Sequence, residues 1–313
     1  MAGFLRALIA FIRLGRPLFL AGGFVLYGLG AAMALYDGAS LSLAALLWGQ
    51  AAVTATQVMV HYSNDYFDLD ADRANPSPTR WSGGSRILPE GRVAPRLALW
   101  AALLAFLAAV VATLVAALAL RPGPLALPLL LLALFLAWSY SAPPLRLHSS
   151  GLGEAAGALL IAGLTPLVGY YLQAGQLGVT PLLAVTPLVL LQFVMLLVIG
   201  FPDARGDAAV GKATLVVRLG GARAARLLQL ALVTFYLMLP LLWAAGLPAP
   251  VVVALLLFTL PGTVWLAWRV GQGKWRELAW WNWFGFVSIG LVVGSALVML
   301  AAFLASQPPV ANG

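Results

Sequence analysis

Nine stretches of 17 to 25 almost uncharged residues recur along the chain, at 17–36, 42–64, 96–120, 124–140, 151–172, 181–201, 224–245, 249–270 and 284–305. A helix needs about 20 such residues to cross the hydrocarbon of a bilayer. The runs show almost no period-two alternation, which favours helices over a barrel. With 62% of its 313 residues hydrophobic and 9% charged, the chain has too little polar surface to enclose a water-soluble core. The expected fold is therefore an all-α integral membrane protein of nine transmembrane helices, forming a single domain over 1–305.

The basic residues orient it. Arg6, Arg13 and Arg16 precede the first span, Arg73, Arg80, Arg86, Arg92 and Arg96 follow the second, and Arg146 follows the fourth. Arg205, Lys212, Arg218, Arg223 and Arg226 follow the sixth, and Arg269, Lys274 and Arg276 the eighth. On a nine-span count, 17 of the 18 basic residues share one side and only Arg121 lies opposite. By the positive-inside rule the N-terminus is expected in the cytoplasm and the C-terminus outside, in the cell membrane. The net charge of +8 then describes a cytoplasmic face that attracts anionic headgroups and anionic substrates. No soluble domain is left to bind nucleic acid. Residues 1–15 read as an interfacial helix ahead of Arg16-Pro17. The basic-residue count works with the first span retained; a signal peptide cleaved after Ala32-Met33-Ala34 is the competing reading. Residues 306–313 read as a disordered tail.

Chemistry-bearing residues gather at two span ends. Asn64, Asp65, Asp68, Asp70 and Asp72 close the second span. If the helix continues through them, Asp65, Asp68 and Asp72 share a face while Asp70 points elsewhere. Carboxylates at a helix C-terminus oppose its dipole and one another, so a cation is expected to offset them. Asp203 and Asp207 repeat the arrangement after the sixth span. Two such clusters suggest a paired cation site, carried on cytoplasmic loops at 65–95 and 202–223. The first loop holds Ser82-Gly83-Gly84-Ser85-Arg86, whose backbone N–H groups and guanidinium could meet an anion. Tyr140 and Arg146 flank Pro143-Pro144, which stops the fourth span and holds the chain extended at the same mouth. Lys212, five residues past Asp207, could share an anionic ligand with the cations. Glu154 reads as an N-terminal helix charge, and Trp275, Trp280, Trp281 and Trp283 as an interfacial belt.

Zero cysteines exclude disulfides and thiolate chemistry, and two histidines leave little for histidine-based metal sites. Magnesium takes one or two carboxylates plus substrate phosphates. Acid pairs among basic residues suit a diphosphate bound through magnesium, and the membrane setting suits a long apolar chain on that diphosphate.

These residues resemble the UbiA-type intramembrane prenyltransferases. Asn64, Asp65, Asp68 and Asp72 match the motif N-D-x-x-D-x-x-x-D, and Asp203 and Asp207 match D-x-x-x-D. Tyr140, Ser141, Pro143, Pro144 and Arg146 are similar to Y-S-x-P-P-x-R, and Gly211 to Gly220 resembles the G-K-x-T-L-x-V-R-L-G segment of the menaquinone-pathway branch, whose acceptor is 1,4-dihydroxy-2-naphthoate. That branch has N-x-R-D before the second motif where this chain has Phe201-Pro202-Asp203, and its first-loop wording differs from Trp81 to Arg86 here. The resemblance implies Mg-dependent transfer of a polyprenyl group from a polyprenyl diphosphate to an aromatic acceptor. It implies two Mg2+ ions held by Asp65, Asp68, Asp72, Asp203 and Asp207, with Asn64 as ligand or orienter. Arg86, Tyr140, Arg146 and Lys212 would contact the diphosphate. Hydroxybenzoate, homogentisate, chlorophyllide, haem and glycerophospholipid acceptors stay open, as does the choice of Asp70, Asp72 or water as base. Divalent-cation transport is the non-enzymatic alternative.

Overall fold

The computed structural model describes residues 2–306, so residues 307–313 of the expected tail lie outside the described residues. Every expected span is helical. In order the helices are α1 (Ala2–Leu14), α2 (Pro17–Tyr36), α3 (Leu43–Phe67), α4 (Leu69–Ala74), α5 (Pro95–Leu114) and α6 (Ala126–Ser141). They continue as α7 (Gly153–Ala158), α8 (Thr165–Ala174), α9 (Val179–Ala209), α10 (Leu215–Leu219), α11 (Gly221–Ala244), α12 (Ala249–Gly271) and α13 (Leu278–Ala305). A wider turn at Leu159–Leu164 joins α7 and α8 into one span, and another extends α5 through Ala119.

The boundaries follow from local chemistry. Pro17 and Pro95 stand in the first turns of α2 and α5, where a missing N–H costs nothing. Ser42 caps α3 by accepting from the Ala45 N–H at 3.3 Å. Gly175 ends α8 at φ 71°, a conformation a side chain would strain. Leu104, Leu241 and Leu257 are 66%, 69% and 69% exposed, which in water would be untenable and in lipid is a requirement. Inward, Leu29 and Met33 of α2, Leu188 of α9, Phe235 of α11, Leu255 of α12 and Phe303 of α13 form one buried core.

Three expectations need correction. Among the described residues, eight helical segments, not nine, are long and apolar enough to span. The exception, α6, has 16 residues, about 24 Å against a hydrocarbon core of about 30 Å. Residues before it are held in a turn by Tyr171, whose hydroxyl accepts from the Leu125 N–H at 2.9 Å. Second, the stretch beginning at 202 is not a loop throughout: α9 continues through Pro202 to Ala209 and carries both Asp203 and Asp207. Proline removes one backbone donor without ending so well packed a membrane helix. Likewise residues 65–74 are helical but for a break at Asp68. Third, residues 143–145 form a turn, not an extended segment.

α1 buries Ala10 and Leu14 against Tyr62, Ile87 and Leu88 while Leu5, Leu8, Ile9 and Ile12 face outward. At the end of α12, the Arg269 guanidinium lies between the Trp268 and Trp280 rings, 4.3 and 4.4 Å from their centroids.

Candidate active site

A cavity of about 350 Å³ opens among α2, α3, α7, α9 and α13. Asp68, Asp72, Asp203 and Asp207 line one end, with Arg16 and Lys212 beside them, while the remainder is largely apolar. α3, α4 and α9 bring the acids together.

Asp68, on the break between α3 and α4, is the hub. Lys212 donates to its Oδ2 at 2.9 Å, His148 meets its Oδ1 at 2.5 Å, and Asn64 donates to Oδ2 at 2.9 Å while also donating to Ser141 Oγ at 3.0 Å. Burial alone would raise the Asp68 pKa; the Lys212 charge and His148 overcome it and hold the carboxyl below its usual range. Lys212 also stands 3.4 Å from Asp207 Oδ1, so a single ammonium bridges the two motifs, and these acids raise its pKa despite its burial. Asp72 is the opposite case. Burial, then the Asp68 and Asp65 charges, push its pKa up to about 8, and its Oδ2 is buried without a partner. Asp203 receives the Asn75 amide at 2.8 Å, which ties α9 to the end of α4.

Asp65 behaves differently. It is 1% exposed, does not line the cavity, and gives one oxygen to Arg16 and the other to the Ser85 N–H, at 3.1 Å, and hydroxyl. Asp70 is solvent-facing with a long 3.9 Å contact to Arg73. In the Ser82–Ser85 turn the Ser85 N–H serves Asp65, the Ser82 N–H serves Thr79 Oγ1, and Gly84 at φ 71° passes so close to Asp72 that a Cβ would fall 1.9 Å from its Oδ2. Trp81 fastens this loop to α13 by donating to the Asn282 carbonyl at 2.9 Å.

Of the other expected diphosphate contacts, Tyr140 and Lys212 line the cavity, whereas Arg86 and Arg146 do not. The Arg86 guanidinium donates to the backbone carbonyl of Asp72. Arg146 is exposed on the turn after α6. Arg16 and His148, which sequence spacing assigned only to topology or to little chemistry, are at the centre. Glu154 is also more than a helix charge: it is buried on the cavity wall, and its Oε1 accepts from the Leu215 N–H at 2.9 Å. Among the described residues, no three acidic or histidine side chains converge tightly enough to hold a metal unaided. Acids with an orphaned oxygen and a deficit of positive charge nevertheless fit a magnesium ion shared with diphosphate oxygens.

A family model described as the UbiA prenyltransferase family matches residues 24–290. A 2-carboxy-1,4-naphthoquinone phytyltransferase from Synechocystis is 32% identical over 146 residues, which cover 45% of this chain and 45% of that relative, so the match spans less than half of its length. Among solved structures, a UbiA homologue from Archaeoglobus fulgidus bound to GPP and Mg2+ aligns over 93% of this chain and 99% of its own, at 15% identity and a TM-score of 0.63. The apo UbiA homologue from Aeropyrum pernix K1 aligns over 91% and 97%, at 20% identity and a TM-score of 0.65. The fold is shared with both.

Proposed function

Because the chain belongs to the UbiA prenyltransferase family, we propose that it transfers a polyprenyl group from a polyprenyl diphosphate to an aromatic acceptor, 1,4-dihydroxy-2-naphthoate in quinone biosynthesis. The observation that carries this reading is one cavity with two chemistries: carboxylates from α3–α4 and α9 at its mouth, and an apolar interior between membrane helices. The named activity of the Synechocystis relative, and the GPP and Mg2+ bound to the Archaeoglobus homologue, support donor, metal and acceptor class.

Asp68, Asp72, Asp203 and Asp207 would hold two magnesium ions together with the diphosphate, and bound magnesium would supply charge neutralisation to the departing diphosphate. Asn64 and His148 fix Asp68 in place. Arg16 and Lys212 add positive charge at the leaving group, with Tyr140 beside them. The allylic C–O bond breaks, the diphosphate leaves with the electron pair, and a ring carbon of the acceptor attacks the cation. The Trp81 loop keeps water out. The ring proton then passes to water or to a carboxylate; of Asp70 and Asp72, only Asp72 lines the cavity. Asp65 serves indirectly, anchoring Arg16 and Ser85. The mouth faces the cytoplasm in this reading, with the N-terminus inside, the C-terminus outside and the basic rim on anionic headgroups.

The test is transfer from radiolabelled geranyl or farnesyl diphosphate in membranes expressing the chain, with and without magnesium, against 1,4-dihydroxy-2-naphthoate and 4-hydroxybenzoate. Magnesium-dependent label in a lipid product from the naphthoate is expected. Diphosphate binding without any aromatic product would move the acceptor elsewhere. No diphosphate binding would return the chain to divalent-cation transport.

A further inference from the structure

Below the acid mouth the cavity should be uniformly apolar if it held only a prenyl chain. It is not. Gln57 and His61, one turn apart on α3, line it together with Gln192 of α9. Each presents a buried atom with no hydrogen-bond partner: Gln57 Oε1, His61 Nε2 and the Gln192 amide nitrogen. Gln192 is only 1% exposed. Unpaired amides and imidazoles are costly to bury inside a membrane protein, so a partner is expected that the protein itself does not provide.

Their placement identifies that partner. α3 and α9 both run toward the acid mouth, and Gln57 and Gln192 each precede the first cavity-lining acid of their motif, Asp68 and Asp203, by eleven residues. At the rise of an α-helix this puts both carboxamides at a common depth, about 16 Å below the acids, with His61 about 10 Å below Asp68. A diphosphate held at the acids does not reach that depth, and a hydrocarbon tail offers nothing to bond. Space is made for the group on α2: a Cβ on Gly23 would fall 2.1 Å from Gln57 Oε1.

We infer that Gln57, His61 and Gln192 form the subsite that recognises the oxygen substituents of the aromatic acceptor, with His61 nearest the reacting carbon and the two glutamines at the ring's far edge. The inference rests on the transferase reading above. It makes these three residues specificity determinants: they bind the acceptor and leave the metal and diphosphate to the mouth.

The experiment measures KM for 1,4-dihydroxy-2-naphthoate and for geranyl diphosphate separately, in Gln57→Leu, His61→Phe and Gln192→Leu, with magnesium-dependent geranyl diphosphate binding as the check that each variant is folded. Acceptor KM should rise about tenfold per lost hydrogen bond, with the geranyl diphosphate KM unchanged within about twofold. Gly23→Ala, which displaces the Gln57 carboxamide without removing it, should raise acceptor KM as well. Acceptor KM unchanged in variants that still bind geranyl diphosphate, or both KM values rising together, would overturn the subsite. A wild-type protein that transfers to neither the naphthoate nor 4-hydroxybenzoate would bring down the parent reading and this inference with it.

Discussion

Lys212 donates to Asp68 at 2.9 Å across 144 residues of chain and so fastens the end of α3 to the segment after α9. Asp207 lies 3.4 Å from the same ammonium, which makes Lys212 the cation that holds the two acid motifs at their working separation. Lys212→Gln should lower kcat/KM for the prenyl diphosphate about 100-fold, the cost typical of removing one positioned donor at developing charge. The variant should also gain more thermal stability on adding MgCl2 than the wild type does, because magnesium would take over part of the screening. Equal gains in the two proteins would mean that Lys212 does not occupy the cations' electrostatic role.

Asp68→Asn and Asp207→Asn should each reduce turnover by at least about 1,000-fold, since both remove a charge at the leaving group. Asparagine keeps the volume and the accepting oxygen at these buried positions, so the variants should remain monodisperse in detergent. Full activity in either would sink the assignment.

Asp65 matches the motif as well as Asp68 does, yet its oxygens are taken by Arg16 and Ser85. Asp65→Asn should therefore act on folding: stranding the Arg16 guanidinium costs about 3 to 5 kcal/mol for a buried pair, less here because Arg16 is 22% exposed. Arg16→Gln combined with Asp65→Asn should recover part of the loss in melting temperature, a coupling that a purely metal-ligating Asp65 would not show.

The spans were legible because a bilayer demands long apolar runs, and Asp68, Asp72, Asp203 and Asp207 because charge at a span end is locally unfavourable and so conspicuous. Partners across the fold were not. Arg16 is 49 residues from Asp65, and His148 is 80 from Asp68; local periodicity carries no trace of either contact. One signal did exist: four carboxylates at one span end require nearby cations, and Arg16 stands at the same membrane face. Arg86 and Arg146 illustrate the converse. Their positions put them at the right face, but backbone conformation turns Arg86 to the Asp72 carbonyl and leaves Arg146 on the outside.

Arg146→Ala should accordingly change the KM for prenyl diphosphate by less than about threefold, within the range of an exposed charge near a binding site. A loss comparable to that of Lys212→Gln would show that the turn after α6 swings Arg146 inward when the diphosphate binds.

Gly84 offers the sharpest test of the loop. It has no side chain, yet it adopts φ 71° and lies against Asp72, whose unpartnered Oδ2 would be 1.9 Å from an added Cβ. Alanine there faces two penalties: a left-handed backbone costs about 1 to 2 kcal/mol for a residue with a Cβ, and the overlap forces Asp72 or the loop aside. The loop has little freedom to yield, pinned by Ser85 to Asp65 and by Trp81 to Asn282, and the Arg86 guanidinium holds the Asp72 backbone carbonyl, so the unpartnered Asp72 carboxylate is what gives way. Gly84→Ala should therefore weaken apparent magnesium affinity and lower turnover at least about tenfold by moving a carboxylate it does not itself carry. Raising magnesium should restore a larger share of activity in Gly84→Ala, where the ligand is displaced, than in Asp72→Asn, where it is gone. Identical magnesium responses in the two variants would place the Gly84 contact outside the metal chemistry.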